Sequence, residues 1–550
     1  MKKLLMTVAV LVTAAGATAQ TLGDAIKLTD KEQFEKATGA FRKLVTAEPQ
    51  NAEAWFYFGE SYWENERADS AEACYRMGVG ANPKYPLNKV GLGKVLWSQG
   101  RTADAQALFT EAVSTACDKA NKFPKPLQGN TYREVAEAIA QGNSKDLIKA
   151  QEFIAKALEM DPKNPETYVL KGDVLFDQNP RDGSAPLENY KTAINMDALN
   201  PKPVTRKAFM YYRANNLDAA ISEYDNAIAV DAAFAPAYRG RAEAWFKKRD
   251  FDKATADMNK YLELNKGNQS ARIRNAQFLF LTGKYQESLN EISALEGEGV
   301  KNIVLKRLKG YDQVEMKDAT AGKATLDAYF SEQPADKHVA TDHEYYGKAL
   351  AALGNDSLAG ESMLKGARMD RTKDYLFVEA SKAFSKAKRY DQAVAAMKEK
   401  IAAGKPETND YYYLGDAANK GKRWMTADSA WATYIERNPN AYQGYKFRAR
   451  AQNGMDSTET KTFVAKPFYD EMLLKMKPEE KEKYKADLEE ALNYMGLFYL
   501  YSKDARDLPR SKCYFEKIVA LNAGTSITKQ VTDVMLKTKE LKDVTPGTCD

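Results

Sequence analysis

Large apolar residues return along this chain in short stripes at helical spacing, and the stripes come in pairs. Trp55, Phe58 and Tyr62 stand three and four residues apart and so share one side of a predicted helix, with the small residue Gly59 set into the same side. A polar turn follows. Ala71, Tyr75 and Gly78 then form the matching stripe of a second helix, which Pro83 ends because proline cannot continue it. Each helix is apolar on one side only, so the pair is expected to fold back on itself as a hairpin.

The pattern recurs in phase. Ala37, Phe41, Leu44 and Pro49 supply a second-helix half before it, and Leu92, Gly93, Leu96, Ala105, Phe109 and Ala112 follow it. It returns at Tyr168, Gly172, Leu175, Tyr190 and Ala193, with a short insertion at Asn179 to Pro186, and again at Tyr238, Ala242, Trp245, Ala254, Met258 and Tyr261. Weaker copies include Tyr411, Leu414, Gly415, Ala427, Trp431, Tyr434 and Pro439. The order aromatic, large apolar, small, aromatic, Ala, aromatic, small, Pro over 34 residues resembles the tetratricopeptide repeat. The resemblance covers nearly the whole chain after its first residues. It implies an all-α, right-handed superhelical solenoid of about twelve helix-turn-helix repeats, with first helices lining a concave face.

Spacing and composition divide the chain further. Residues 1–19 are expected to be a signal peptide, 20–296 an N-terminal repeat array and 297–337 a degenerate repeat. A C-terminal array follows over 338–453, an inserted segment over 454–481, a last divergent repeat over 482–524, and a capping helix with its tail over 525–550. The signal reading rests on basic Lys2 and Lys3, the apolar run Leu4 to Ala15, and the small-x-small pattern Ala17-Thr18-Ala19, with cleavage after Ala19. That run is shorter than the ~20 residues a membrane-spanning helix needs, and no Cys follows it to carry a lipid. Export to the periplasm or cell envelope is the expectation, with no membrane span in the mature chain.

Charge and chemistry narrow the functional classes. Lys and Arg number 81 against 76 Asp and Glu, and the net charge falls from +5 to +3 without Lys2 and Lys3. So even a balance gives no concentrated basic face for nucleic acid. The chain has two His; His338 and His343 are five apart, which on a helix places them on different faces. No phosphate-cradling loop, nucleophile motif or metal-ligand set is present, so no enzyme, cofactor or metal is expected. The four Cys allow three disulfide connectivities. A Cys513–Cys549 bridge would pin the tail to the last repeat, while Cys74 and Cys117 read as small buried residues.

Residues that the repeat core does not need are the binding candidates. At the twelfth position of six early units stand Trp63, Trp97, Phe176, Tyr212, Phe246 and Phe280. Two readings stand open for them: an aromatic ladder along the groove, or rings that pack on the next first helix. Lys94, Lys202, Arg206, Arg213, Arg239 and Arg274 occupy groove positions in the middle units, and Glu53, Glu60 and Glu64 do so near the start. These mark an acidic N-terminal end and a basic middle, or else an ordinary solvated face. Tyr412 and Tyr413 are a second candidate spot. The resulting expectation is a scaffold or adaptor that binds partner proteins or peptides of the cell envelope in its groove. The alternative is a carbohydrate or cell-wall binder that uses the aromatic ladder for stacking.

Overall fold

The computed structural model describes residues 21–456 and 461–549, and the expected signal segment lies outside them. Every α or 3-10 element among the described residues is helical, and no helix there is long and apolar enough to cross a membrane. The chain divides into two compact units, 1–301 and 302–550.

In the first unit α1 (Leu22–Asp30) pairs with α2 (Phe34–Ala47), and α3 (Ala52–Glu64) with α4 (Ala68–Ala81). Next come α5 (Leu87–Ser98) with α6 (Thr102–Cys117), and α7 (Lys125–Ala140) with α8 (Leu147–Met160). The pairs α9 (Pro165–Gln178) with α10 (Ser184–Met196) and α11 (Pro201–Arg213) with α12 (Leu217–Val230) follow. The last two are α13 (Ala235–Lys247) with α14 (Phe251–Leu264), and α15 (Gln269–Leu281) with α16 (Tyr285–Gly297). From α1 to α13 each first helix also touches the next first helix, which makes one continuous inner wall.

The second unit opens with α17 (Ile303–Glu315) and α18 (Ala319–Glu332), a complete hairpin within the stretch where consensus residues thin out. It continues through α19 (Ala340–Ala352) and α20 (Asp356–Met369), α21 (Tyr375–Lys386) and α22 (Tyr390–Ala403), and α23 (Thr408–Lys420) and α24 (Trp424–Arg437). α25 (Tyr442–Met455) is followed by α26 (Lys466–Lys475) and the short α27 (Pro478–Lys483), then α28 (Lys485–Tyr501) and α29 (Leu508–Leu521). The terminal α30 (Ser526–Asp533) occupies only the start of the 525–550 segment. The chain turns there because Met535, Leu541 and Cys549 all bury against the core built by Phe515 and Ile518. Cys549 is bonded to Cys513, with Cα atoms 5.9 Å apart. Cys74 is buried and free; Cys117 is free and half-buried.

The repeat period is written in the backbone. The turn inside most hairpins places one residue in the left-handed region. These residues recur at steps of 34 in three runs: Glu32, Glu66 and Gly100; Asn215, Arg249, Gly283 and Lys317; Gly354, Lys388 and Lys422. The aromatic that opens many first helices is tied to the preceding turn. Trp55, Tyr168, Tyr238 and Tyr445 each donate to a carbonyl six residues upstream, at Pro49, Pro162, Ala232 and Pro439.

The small residues set how closely the helices approach. A Cβ placed on Gly59 would lie 2.3 Å from the Tyr75 ring, and one on Gly91 would lie 2.5 Å from the same ring. Tyr75 is therefore clamped between two glycines of successive first helices and has no exposed surface. Gly172 and Tyr190, Gly240 and Tyr224, and Gly415 and Trp431 repeat the fit. Gly59→Ala is expected to cost about 1–3 kcal/mol of overpacking, more than the ~1 kcal/mol of helix propensity it gains. Gly39→Ala, in α2 with nothing within 4 Å of the new Cβ, is expected to stabilise by ~0.5–1 kcal/mol. Denaturant midpoints of the two variants should move in opposite directions, and a shared direction would refute this packing rule.

Candidate functional site

Several first helices of the N-terminal unit carry a second, inward stripe. On α3 it is Glu53, Tyr57, Glu60 and Glu64; on α11, Lys202, Thr205, Arg206 and Phe209; on α13, Pro236, Arg239, Gly240 and Glu243. Spacings of three and four keep each set on one side. Together with Asn130, Arg133, Glu134 and Glu137 of α7 they surround a chamber of about 860 Å³.

The chamber exists because this unit closes on itself. The turn between α1 and α2 meets residues two hundred or more positions away. Lys31 lies 2.7 Å from Asp231, Gln33 donates to the Ala233 carbonyl at 3.0 Å, and Arg239 donates to Glu32 at 2.7 Å. Tyr261 Oη donates to the same Glu32 at 2.9 Å. One hairpin further on, Arg274 donates to Glu66 at 3.0 Å and Asn268 to Asn65 at 3.1 Å. From inside, Lys202 reaches Glu166 at 2.7 Å and Asp30 at 3.6 Å. The acidic start and the basic middle of the array, read from sequence as separate stretches, thus face each other.

Enclosure changes the chemistry of the wall. Lys94 is 1% exposed, with its ammonium 2.7 Å from Glu60 and 3.8 Å from Glu134. Arg133 pairs with Glu134 and, at 3.2 Å, with Glu137. Burial pushes Glu134 up to about 7 from an ordinary 4.5, against the pull of Arg133 and with Glu60 adding to the rise. Burial also raises Glu60 and Glu64, with Glu137 contributing to both. Glu166 goes the other way: burial opposes it, but the Lys202 charge and hydrogen bond hold it down at about 2. Glu32 is likewise lowered despite burial, by Arg239 and Arg274.

The sequence candidates divide accordingly. Arg206 and Arg239 line the chamber, and Arg274 sits in the seam. Lys94 is not an open groove cation; it is consumed by Glu60. Of the aromatic ladder, Trp97 and Phe176 are 4% and 5% exposed, so they are packing rings with no free face to offer a ligand. Trp97 joins a core with Val135 and Ile139 of the next first helix, and Phe176 packs on Tyr190 and Met210. Trp63, Tyr212, Phe246 and Phe280 are half-buried, and none of the six rings lines the chamber. Lys94 lies over Trp63, Lys247 over Tyr212, and Arg213 over Phe176, while Phe246 meets Phe278 and Phe280 meets Tyr285. The ladder position looks across to the following hairpin, and the stripe around Glu60 looks inward.

In the second unit Tyr412 packs edge-on against Trp431 at 5.3 Å, and Tyr413 lies under Lys382 at 4.9 Å. His338 and His343 do not diverge as helical spacing suggested. His338 precedes α19 in extended backbone, and the two rings stand 5.8 Å apart, both against Phe330. Burial pushes His343 down to about 4.

Sequence reading missed Asp30, Glu32, Arg133, Glu134, Glu137, Glu166 and Glu243. The α7 set carried a legible signal: Asn130, Arg133, Glu134 and Glu137 follow helical spacing on a helix whose other sides hold Val135, Ala138 and Ile139. Because Glu134 is protonated more readily in the folded state than in the unfolded one, folding gains a proton between pH ~4.5 and ~7. Stability from this group is therefore present at low pH and lost as pH rises through 7. Glu134→Gln, which mimics the protonated form, should gain on the wild type by up to about 3 kcal/mol between pH 5 and pH 8. Denaturant titrations of both proteins across that range measure it, and parallel pH profiles would refute it.

A family model described as tetratricopeptide repeat matches residues 25–86 and 210–269. Among curated relatives, the DnaJ homolog subfamily C member 7 homolog of Schizosaccharomyces pombe is 23% identical over 303 residues, covering 54% of this chain and 56% of that protein. Mitochondrial import receptor subunit TOM70 of Rattus norvegicus is 24% identical over 198 residues, 36% of this chain and 32% of that protein. The chain thus spans about half or less of these relatives. Among solved structures, the C-terminal part of a TPR repeat-containing protein from Cytophaga hutchinsonii is 28% identical, covering 48% of this chain and 98% of that one, with a TM-score of 0.39. The yeast Tom70 structure is 11% identical, covering 73% and 95%, with a TM-score of 0.37. The family model matches in two places and the same hairpin is built between and beyond them, so the chain carries tetratricopeptide repeats.

Proposed function

We propose that this chain is an exported protein-interaction scaffold that takes an extended segment of a partner protein into the chamber of its N-terminal unit. The chamber carries the proposal: about 860 Å³, walled by the charged inward stripes of α3, α7, α11 and α13 together with core rings such as Phe41 and Tyr224. That volume lies within the ~300–1,000 Å³ of built ligand sites. A helix with side chains, ~10–12 Å across, would exhaust it within roughly two turns, so an extended strand or loop is the better fit. A folded domain is too large. Among the charged residues of the wall carboxylates outnumber cations, which suits a polypeptide better than the phosphates of a nucleic acid.

Location follows from the first residues. Lys2-Lys3, the apolar run and Ala17-Thr18-Ala19 direct the chain across a membrane, and the mature protein begins at Gln20 in the periplasm or cell envelope. Its partners are proteins of that compartment, and the chain contributes binding without catalysis. One of its relatives is a mitochondrial import receptor subunit. Carbohydrate stacking loses support because Trp97 and Phe176 are packed inside.

A photo-crosslinking residue at Tyr57, inside the chamber, and another at Arg76 on the outer surface, distinguish inner from outer binding. In the native envelope fraction the Tyr57 probe should label a defined linear segment of a partner, and the Arg76 probe should not. Equal labelling from both positions would refute the chamber as the binding site. N-terminal sequencing should begin at Gln20, and recovery of Met1 in the cytosolic fraction would refute export.

A further inference from the structure

The inserted segment breaks the rhythm of the second unit. The second helices α18, α20, α22 and α24 each run 14 residues, but α26 has 10 and α27 has 6. α26 stops because Met476 and Lys477 take extended backbone ahead of Pro478, and a proline disfavours helix in the residue before it. The shortfall leaves a cleft of about 760 Å³ among α26, α28 and α29. Cys549 of the disulfide-tied tail lines it too, so the insertion, the divergent last repeat and the tail meet at one cavity.

Two chemistries share its wall. Leu473 and Leu474 of α26, Leu488 and Leu492 of α28 and Leu521 of α29 come together from three helices. Leu474 is 74% exposed, so this apolar surface is open to water. Contiguous apolar surface rimmed by charge marks a binding site, where scattered single leucines would not. Lys481, Lys485 and Lys517 stand at the same cleft, and its two carboxylates leave them poorly matched. Asp470 pairs with Lys466, outside the cleft, at 2.6 Å, and Glu482 meets Lys485 at 3.4 Å on exposed surface. The Lys481 side chain has no hydrogen bond or ion pair to any described residue, and Lys517 donates to the neutral carbonyl of Cys549. Lys485, Leu488 and Leu492 stand three and four residues apart, which sets a cation one turn before the leucines on the same side of α28.

We propose that this cleft binds a free fatty acid, with the acyl chain along the five leucines and the carboxylate against Lys481 and Lys485. The site lies in the other unit from the chamber and does not depend on the segment reading. Size and charge together select the occupant. The volume is that of a built small-ligand site, and a helix ~10–12 Å across would exceed it within roughly two turns. A single chain of methylenes fits a leucine-lined cleft, and each methylene withdrawn from water adds to the hold. A cationic amphiphile would make the same apolar contacts but meet repulsion from the lysines. A membrane lipid offers the same anionic acyl chemistry, so the test separates the two sources.

The full chain is titrated calorimetrically with octanoate, decanoate and dodecanoate, each below its micelle concentration, and with dodecyltrimethylammonium. Affinity should rise about two- to fourfold per added methylene. Dodecanoate should bind roughly fivefold tighter than the cationic chain, or more. Lys481→Gln should weaken dodecanoate about threefold and leave the cationic chain unweakened. Leu474→Gln should weaken both severalfold. Leu474 is exposed and Lys481 unpartnered, so both variants should melt as the wild type does. Met425→Gln, at an exposed apolar residue of α24 outside the cleft, should change nothing. Equal affinity for anionic and cationic chains overturns the site, as does affinity that chain length does not alter. Undiminished binding by Leu474→Gln overturns the cleft as its place. Absence of fatty-acid binding, with the protein floating on phosphatidylglycerol vesicles, overturns the free acid in favour of a membrane lipid. Absence of both, with self-association in sedimentation that Leu474→Gln abolishes, overturns the ligand site and assigns the cleft to a second copy of this chain.

Discussion

Everything distinctive about the N-terminal unit depends on one seam, at which Glu32 receives Arg239 and Tyr261 from two hundred residues further along the chain. Ion pairs that lose water gain little unless their remaining hydrogen bonds are made. Glu32 meets that condition with donors from both Arg239 and Tyr261 and with Arg274 at 3.9 Å. Lys31, Gln33, Asn65 and Glu66 extend the seam along two successive turns. Glu32 and Glu66 are also the left-handed turn residues of their hairpins, one repeat apart. The repeat therefore presents the same kind of acceptor at the same place twice. Without closure, the inner carboxylates would stand in open water with nothing to raise them.

The packing rule of the hairpins reaches into the chamber. Tyr75 fits between Gly59 and Gly91, and this fixes its ring so that its hydroxyl donates to Glu60 at 2.7 Å. Glu60 in turn holds Lys94 of the next first helix. Tyr190 donates to Asp173 in the same way, and Asp173 faces Arg206. A residue chosen for its fit in the core thus also orients a charge on the inner wall. Enlarging Gly59 would disturb both at once, since the ring cannot move without withdrawing its hydroxyl.

The fold was legible because its signal is local. The stripe, the small residue, the second stripe and the terminating proline all fall within one repeat, and many copies reinforce one another. The site was legible only in part. Glu60, Arg206 and Arg239 stood out as charged residues at positions the core does not need. Which of them would meet was hidden, because the closure joins residues too far apart for any periodicity to report. The aromatic ladder misled for a different reason. Trp63 and Trp97 hold the same repeat position, yet the ring at 97 is sealed by Val135 and Ile139, and the one at 63 is only half covered. Burial at that position depends on the neighbouring hairpin. The α7 carboxylates were lost where the loop between α6 and α7 lengthens and the consensus slips out of phase.

Closure also alters what kind of ligand such a wall can select. An open concave face offers long contact, so selectivity accrues slowly along an extended partner. A closed turn offers a short, bounded volume in which few residues can enter, and each carries more of the discrimination. With every inner cation already matched to a carboxylate, an incoming anion would have to break an existing pair before gaining one.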